Sequence, residues 1–288
     1  EMTVALRKAQ TLVFNRLSPD LFWQVISRKL ARRGIRGVYV ILSFDCDTDE
    51  DANAALILHR WLTERDISAA YAVPGAQLER GAAIYRQIAE AGGTFLNHGA
   101  LPHTLQQGDS YISSTFYNKM SLDEVRADVQ HGHEIVTRVI GKAPFGFRTP
   151  HFGYFQSPEQ LRFLHDLLKS MGYRFSTSTM PRTALNHHPV WQIGAFTELP
   201  LSGWYQQPLN LLDSFTLIES PTRRIVTDSY AQRLIDTVTM LRRKNLNAIL
   251  NYYVDPAHVY KTDTFTRAID AIRQHVTLWS YDDVVART

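Results

Sequence analysis

Apolar and polar positions along this chain switch repeatedly between a period of two and a period near 3.6. Val38-Tyr39-Val40-Ile41-Leu42 is a short apolar run rich in β-formers, read as a buried strand that ends at Phe44-Asp45. Helical spacing follows over residues 51–65, with Ala54, Leu58, Trp61 and Leu62 on one side. Residues 68–73 read as a strand closed by Pro74-Gly75, 77–91 as a helix ended by Gly92-Gly93, and 94–96 as a short strand. Residues 106–118 are polar and aromatic without periodicity and read as a surface loop. Ser121-Leu122-Asp123-Glu124 is a capping box that opens a helix running to about Ile140. Strands are then expected at 145–148, 173–177, 191–199, 213–218, 246–254 and 276–279, with helices at 157–171, 230–244 and 264–274. Strand–helix alternation of this length predicts a parallel sheet, and a β/α barrel suits it.

Upstream of the first strand, Leu21, Phe22, Val25, Ile26 and Leu30 fall at helical spacing after Ser18-Pro19-Asp20, a plausible cap. The first 36 residues carry eight Lys or Arg against two acids, a net +6 that leaves −3 for the remainder of a chain whose total is +3. We therefore divide the chain into a basic amphipathic helical segment, residues 1–35, and one domain, residues 36–288. A basic amphipathic helix suits either packing on the domain with a solvated basic face or peripheral contact with an anionic membrane. Nucleic acid is not expected, because the rest of the chain is slightly acidic and has no recognition motif.

The 288 residues are 44% hydrophobic and 20% charged, the composition of an ordinary globular protein. A single cysteine excludes a disulfide framework and a cysteine-based zinc site. No apolar run is long enough to cross a bilayer and no signal-peptide core stands near the start, so a cytoplasmic setting is expected.

Chemistry concentrates after the strands. Asp45 and Asp47 leave the first strand on one side, with Cys46 on the other, and two adjacent carboxylates repel unless a proton or cation lies between them. His98 and His103 follow the strand at 94–96 in a loop containing Gly99 and Pro102. Two histidines and one carboxylate with an open position form a recognised catalytic zinc arrangement. Arg148, Glu198, and Asp255 with His258 also stand at strand ends, the catalytic side of a β/α barrel. Trp204 and Tyr205, after Glu198-Leu199-Pro200, offer rings on which a sugar could stack.

Phe44-Asp45-Cys46-Asp47, the His98…His103 loop, Phe147-Arg148-Thr149-Pro150-His151 and Glu198-Leu199-Pro200 come in an order that resembles the polysaccharide deacetylase (NodB-homology, carbohydrate esterase family 4-like) family, in its Asp-x-Asp subgroup. The resemblance implies a distorted (β/α) barrel and removal of an N-acyl group, acetyl or formyl, from an amino sugar. It implies one divalent cation, Zn2+, on Asp47, His98 and His103, with Asp45 as general base, Arg148 orienting Asp45, and Glu198 pairing with Arg148. Pro150 and His151, with Trp204 and Tyr205, are expected at the substrate. Two departures mark this chain. The second histidine lies five residues after the first where the family usually has four, and Asp255 precedes Pro256 where the family offers a histidine. His258, partnered by Asp255, is then the expected acid, since its intrinsic pKa suits the role. The expected function is metal-dependent N-deacylation of an amino sugar or polysaccharide during surface polysaccharide (O-antigen-like) biosynthesis, on a lipid carrier and at the inner face of the membrane. The alternatives are a catalytically degenerate saccharide-binding member and a hydrolase of a non-sugar amide.

Overall fold

The computed structural model describes residues 4–107, 110–218 and 225–287. Two helices, α1 (Val4–Leu12) and α2 (Pro19–Arg32), precede β1 (Val38–Asp45). There follow α3 (Asp49–Thr63), β2 (Ala70–Val73), α4 (Gly75–Arg80), α5 (Ala82–Glu90) and β3 (Thr94–Asn97). A small hairpin of β4 (Thr104–Gln107) and β5 (Ser110–Ser113) leads to α6 (Leu122–Ile140) and β6 (Gly146–Phe147). Next come α7 (Pro158–Ser170), β7 (Phe175–Ser176), α8 (Pro181–Asn186), β8 (Trp191–Ile193) and β9 (Phe196–Glu198). The chain finishes with α9 (Ser229–Arg243), β10 (Ala248–Val254), α10 (Pro256–Val259), α11 (Thr264–Ile272), β11 (Thr277–Leu278) and α12 (Tyr281–Ala286).

The strands form one curled sheet in the order β10-β1-β2-β3-β6-β7-β9-β8, with β11 added beside β1; every pair is parallel except β8–β9. This is a distorted barrel of the expected class. Irregular chain bridges its two ends: Ser202 N donates to Asn251 O at 3.0 Å and Tyr252 Oη to Gly203 O at 2.8 Å. Parallel strands covered by helices are buried on both faces, which is why β1 and β10 are apolar almost throughout.

Four expectations about elements change. Residues 191–199 form the hairpin β8–β9, turned at Gly194, whose φ of +68° suits glycine. Part of the expected loop at 106–118 is the β4–β5 hairpin. Residues 215–217 form a 3₁₀ turn rather than a strand, because Asp213 Oδ1 accepts from Thr216 N at 2.7 Å and Thr216 Oγ1 at 2.9 Å. The helix expected at 77–91 breaks into α4 and α5 at Gly81, where an added Cβ would lie 2.6 Å from the Tyr85 ring.

α2 forms as its pattern predicts and spends its apolar face on the domain. Phe22, Trp23, Ile26 and Leu30 are buried in the main core, and the helix packs on β10 and α8. Lys29 Nζ donates to Leu185 O and His187 O at the C-terminal end of α8, where a cation is favoured. The face that would have entered a bilayer is therefore already covered, which corrects the membrane expectation for α2. No helix among the described residues is long and apolar enough to cross a membrane.

Candidate metal and acid–base site

Strand register brings the chemistry to one level. Phe44 pairs with Val254, so Asp45 and Asp255 leave adjacent strands side by side; Asn97 pairs with Phe147, so His98 and Arg148 do the same. Just beyond β1, Thr48 caps α3 and forms a reciprocal box with Asp51. Asp51 also accepts from Ala257 N at 2.9 Å, tying the turn after β10 to the turn after β1.

Asp47, His98 and His103 each offer one ligand atom, and these atoms lie within 4.8 Å of one another. His103 Nδ1 is 3.3 Å and His98 Nε2 4.0 Å from Asp47 Oδ1. His98 Nδ1 lies 2.8 Å from Arg148 O. A carbonyl only accepts, so Nδ1 carries the hydrogen and Nε2 presents its lone pair to the two aspartates. Burial holds His98 well below its ordinary range and lowers His103 to about 4, so both imidazoles are neutral at pH 7. Buried His103 Nε2 has no hydrogen-bond partner among the described residues. An orphaned imidazole nitrogen beside a second neutral imidazole and a carboxylate fits a divalent cation, and two nitrogens with one oxygen suit zinc.

Asp128 of α6 anchors the loop between the two histidines. Its Oδ1 accepts from Ala100 N at 3.0 Å and Leu101 N at 2.8 Å, while Oδ2 accepts from Tyr117 Oη at 2.6 Å. Asn97 supplies a second anchor, donating to Val129 O and Tyr173 Oη and accepting from Gly99 N. Gly99 has φ +78°, and an added Cβ would lie 2.3 Å from Asp128 Oδ2. The loop is thus curled tightly, and His103 is buried in it.

Asp45 and Arg148 form a buried pair, with Arg148 Nη1 donating to Asp45 Oδ1 at 2.5 Å. Burial pushes Asp45 up to about 7; Arg148 pulls it back, and the charges of Asp47 and Asp255 push it further up. Burial alone would lower Arg148, but the adjacent Asp45 keeps it above its ordinary value. Glu198 is not its partner. Glu198 Oε1 accepts from Ser178 N at 2.9 Å and Thr179 Oγ1 at 2.8 Å, and Oε2 lies 3.3 Å from His165 Nε2. Glu198 shares a strand face with Phe196, which packs in the outer layer with Leu164 and Leu168 of α7, so its carboxylate points away from the barrel interior.

Asp255 and His258 do meet. His258 Nδ1 is 3.1 Å from Asp255 Oδ2, and Ser214 Oγ donates to that same oxygen at 2.8 Å. Nearby, burial pushes Asp51 and Asp213 each to about 6. Pro150 is buried. His151, at φ +50°, is half-buried, donates from Nε2 to Ser114 O at 2.5 Å, and stacks on Phe116. Its ring stands 5.7 Å from that of His103. Trp204 and Tyr205 are not a sugar platform: both are buried, Trp23 stacks on Tyr205, and Arg233 covers Trp204. α2 thus occupies the face of Tyr205 through Trp23, and α9 that of Trp204 through Arg233.

Asp128, Ser214, and Ser43 and Tyr281, which both accept from Arg148 Nη2, take part in these networks and carried no motif. Asp128 alone left a trace, as a carboxylate on the helix face otherwise formed by Val125, Val129, Gly132 and Val136.

Residues 35–175 match the model of the Polysaccharide deacetylase family, so the family resemblance read from the motifs holds for that stretch. No curated protein matches the chain. Among solved structures, PuuE allantoinase is 12% identical, covers 88% of this chain and 90% of its own, and superposes with a TM-score of 0.61. A family 4 carbohydrate esterase from Streptomyces lividans, in complex with acetate, is 13% identical over 85% of this chain and 92% of its own, TM-score 0.52. BA3943, a CE4 family pseudoenzyme from Bacillus anthracis, is 12% identical over 86% of this chain and 65% of its own, TM-score 0.53. An allantoinase, an esterase and a pseudoenzyme share this fold, so the fold does not choose among chemistries. The site must.

Proposed function

We propose, from the match of residues 35–175 to the polysaccharide deacetylases, that this chain is a metal-dependent hydrolase removing an acetyl or formyl group from the nitrogen of an amino sugar. The observation that carries this reading is the placement of two neutral imidazoles and Asp47 beside the buried Asp45–Arg148 pair. A divalent cation, zinc by donor set, would be held by Asp47, His98 and His103, and would supply a polarised acyl carbonyl and a more acidic water. Asp45, 3.9 Å from His98 Nε2, takes the proton of the attacking water. Arg148 fixes that carboxylate from behind, so the base cannot rotate away. His258, in hydrogen-bond reach of Asp255 and Ser214, gives a proton to the departing nitrogen, and Asp255 holds the charge of its imidazolium. The products are acetate or formate and a free amine.

The finer setting is part of the same reading: a saccharide under assembly on a lipid carrier, for a surface polysaccharide. Peripheral membrane contact through residues 1–35 falls to the helix α1 and the turn after it, where Leu6, Leu12 and Leu17 are exposed among Arg7, Lys8 and Arg16.

The test is release of acetate or formate from defined N-acyl amino sugars, with elemental analysis of each purified variant. Asp47→Ala and His98→Ala should come without the cation; Asp45→Asn and His258→Ala should keep it and lose turnover, by roughly 10²–10⁴-fold for the acid. If His258→Ala turns over normally while Asp255→Asn is dead, Asp255 is the acid. Saccharide binding with no turnover of any N-acyl sugar would leave the pseudoenzyme reading in its place.

A further inference from the structure

Arg148 is gripped from beneath as well as by Asp45, and the grip comes from the far end of the chain. Tyr281 is the first residue of α12, which follows the short strand β11 beside the N-terminal half of β1. Its ring lies on Phe175 with centroids 4.7 Å apart, and its hydroxyl reaches the barrel interior. There Arg148 Nη2 donates to Tyr281 Oη at 2.8 Å and to Ser43 Oγ at 2.8 Å.

The direction of each hydrogen is fixed by its neighbours. Asn251 Nδ2 donates to Thr177 Oγ1 at 2.8 Å and Leu199 O at 3.0 Å, which orients its Oδ1 as an acceptor. Tyr281 Oη donates to that Oδ1 at 2.8 Å and so keeps a lone pair for the guanidinium. Ser43 Oγ likewise donates to Tyr252 O at 2.9 Å. Nη1 is committed to Asp45, and Nε has no hydrogen-bond partner among the described residues. Three oxygens, those of Asp45, Ser43 and Tyr281, therefore set the orientation of the guanidinium. All the groups in this network are buried, so water does not replace a missing acceptor.

We infer that Tyr281 is a positioning residue for the acid–base site: it aims Arg148 and, through it, Asp45. The inference rests on the reading of Asp45 as the base. It concerns a residue outside the stretch matched to the family. Its consequence is that the Tyr281 hydroxyl, though remote in sequence from Arg148, acts on the site, while the rest of α12 does not touch it.

Tyr281→Phe keeps the ring on Phe175 and deletes only the hydroxyl. With the metal-loaded full chain, kcat for acyl release should fall roughly 10- to 100-fold, the range for a lost hydrogen bond to a charged group, with KM and bound cation unchanged. Asp283→Ala is the control: it removes the capping box of α12, in which Asp283 accepts from Ser280 N and Ser280 Oγ, without touching the hydroxyl. It should lower the melting temperature and leave kcat alone. The second readout needs no turnover. The Arg148 guanidinium 15N signals, assigned by their loss in Arg148→Lys, should be separately resolved in the wild type and shift and broaden in Tyr281→Phe, where Asp45 and Ser43 hold the group with one acceptor fewer. Unchanged Arg148 signals in Tyr281→Phe would overturn the inference, and so would an equal loss of kcat in Asp283→Ala. Absence of acyl release by the wild type sinks the proposed function instead, and the guanidinium signals then decide the positioning by themselves.

Discussion

Replacing Asp128 by alanine should uncurl the histidine loop, and the cost can be worked from three hydrogen bonds. Asp128 Oδ1 is the acceptor for Ala100 N and Leu101 N, and Oδ2 for Tyr117 Oη. Ala100 and Tyr117 are buried, so two donors lose their partner where water cannot enter; Leu101 is exposed enough to recover a water. At about 1–3 kcal/mol for each of the two buried donors left unsatisfied, plus about 1 kcal/mol for the net hydrogen bond of Leu101, the loss is about 3–7 kcal/mol. That is a large part of the 5–15 kcal/mol by which ordinary domains are stable. Asp128→Asn separates geometry from bulk. Its Oδ1 still accepts both backbone hydrogens, and its amide can donate to Tyr117 Oη, so about 1 kcal/mol should be lost. The loop carries His98 and His103, and groups that orient ligands typically hold 10- to 100-fold of metal affinity. Urea unfolding and calorimetric titration with Zn2+ should therefore rank wild type, Asp128→Asn and Asp128→Ala in that order on both scales. An Asp128→Ala protein that unfolds and binds Zn2+ like the wild type would refute the reasoning, because the loop would then be held by Asn97 alone.

Two further outcomes follow from buried groups. Burial raises Asp213 to about 6, so between about 3.8 and 6 the native state binds more protons than the unfolded state. Stability attributable to this group therefore falls as pH rises through that window and is fully lost above it. Asp213→Asn, whose Oδ1 can still accept from Thr216, should match wild type near pH 3.5 and exceed it by up to about 3 kcal/mol at pH 7, read from denaturation midpoints; a gap independent of pH would exclude the mechanism. Trp23→Ala removes a buried ring stacked on Tyr205 and the bond from Trp23 Nε1 to Tyr205 O, and should cost about 3–5 kcal/mol by thermal unfolding. Wild-type melting would mean that α2 is an independent arm.

Long, doubly buried strands were legible because burial on both faces leaves an uninterrupted apolar run, as in β1 and β10. Capped helices were legible because Ser121 and Glu124 announce α6 at its first turn. The β4–β5 hairpin was not, since most of β4 is exposed and has no apolar face to show a period. The five-residue histidine spacing could be seen but not interpreted. Asp128 lies 25 residues beyond His103, and nothing local to the loop says that a helix will supply two of its acceptor bonds.

The exchange of Glu198 for Tyr281 as the support of Arg148 has a single physical origin. Side chains on a strand alternate between the two faces, so a motif that places a carboxylate at a strand end leaves its side undetermined by one residue. Phe196 settles it: packed among the side chains of α7, it carries Glu198 with it to the outer layer, where His165 and the turn at Ser178 receive the charge. The interior below Arg148 then needs another acceptor. Ser43, two residues before Asp45 and so on the same face of β1, supplies one. The other arrives from α12, because β11 pairs with β1 and delivers Tyr281 under the barrel. Strand parity and strand order together choose which groups converge on Asp45 and Arg148, and the second of these is written only in the folded sheet.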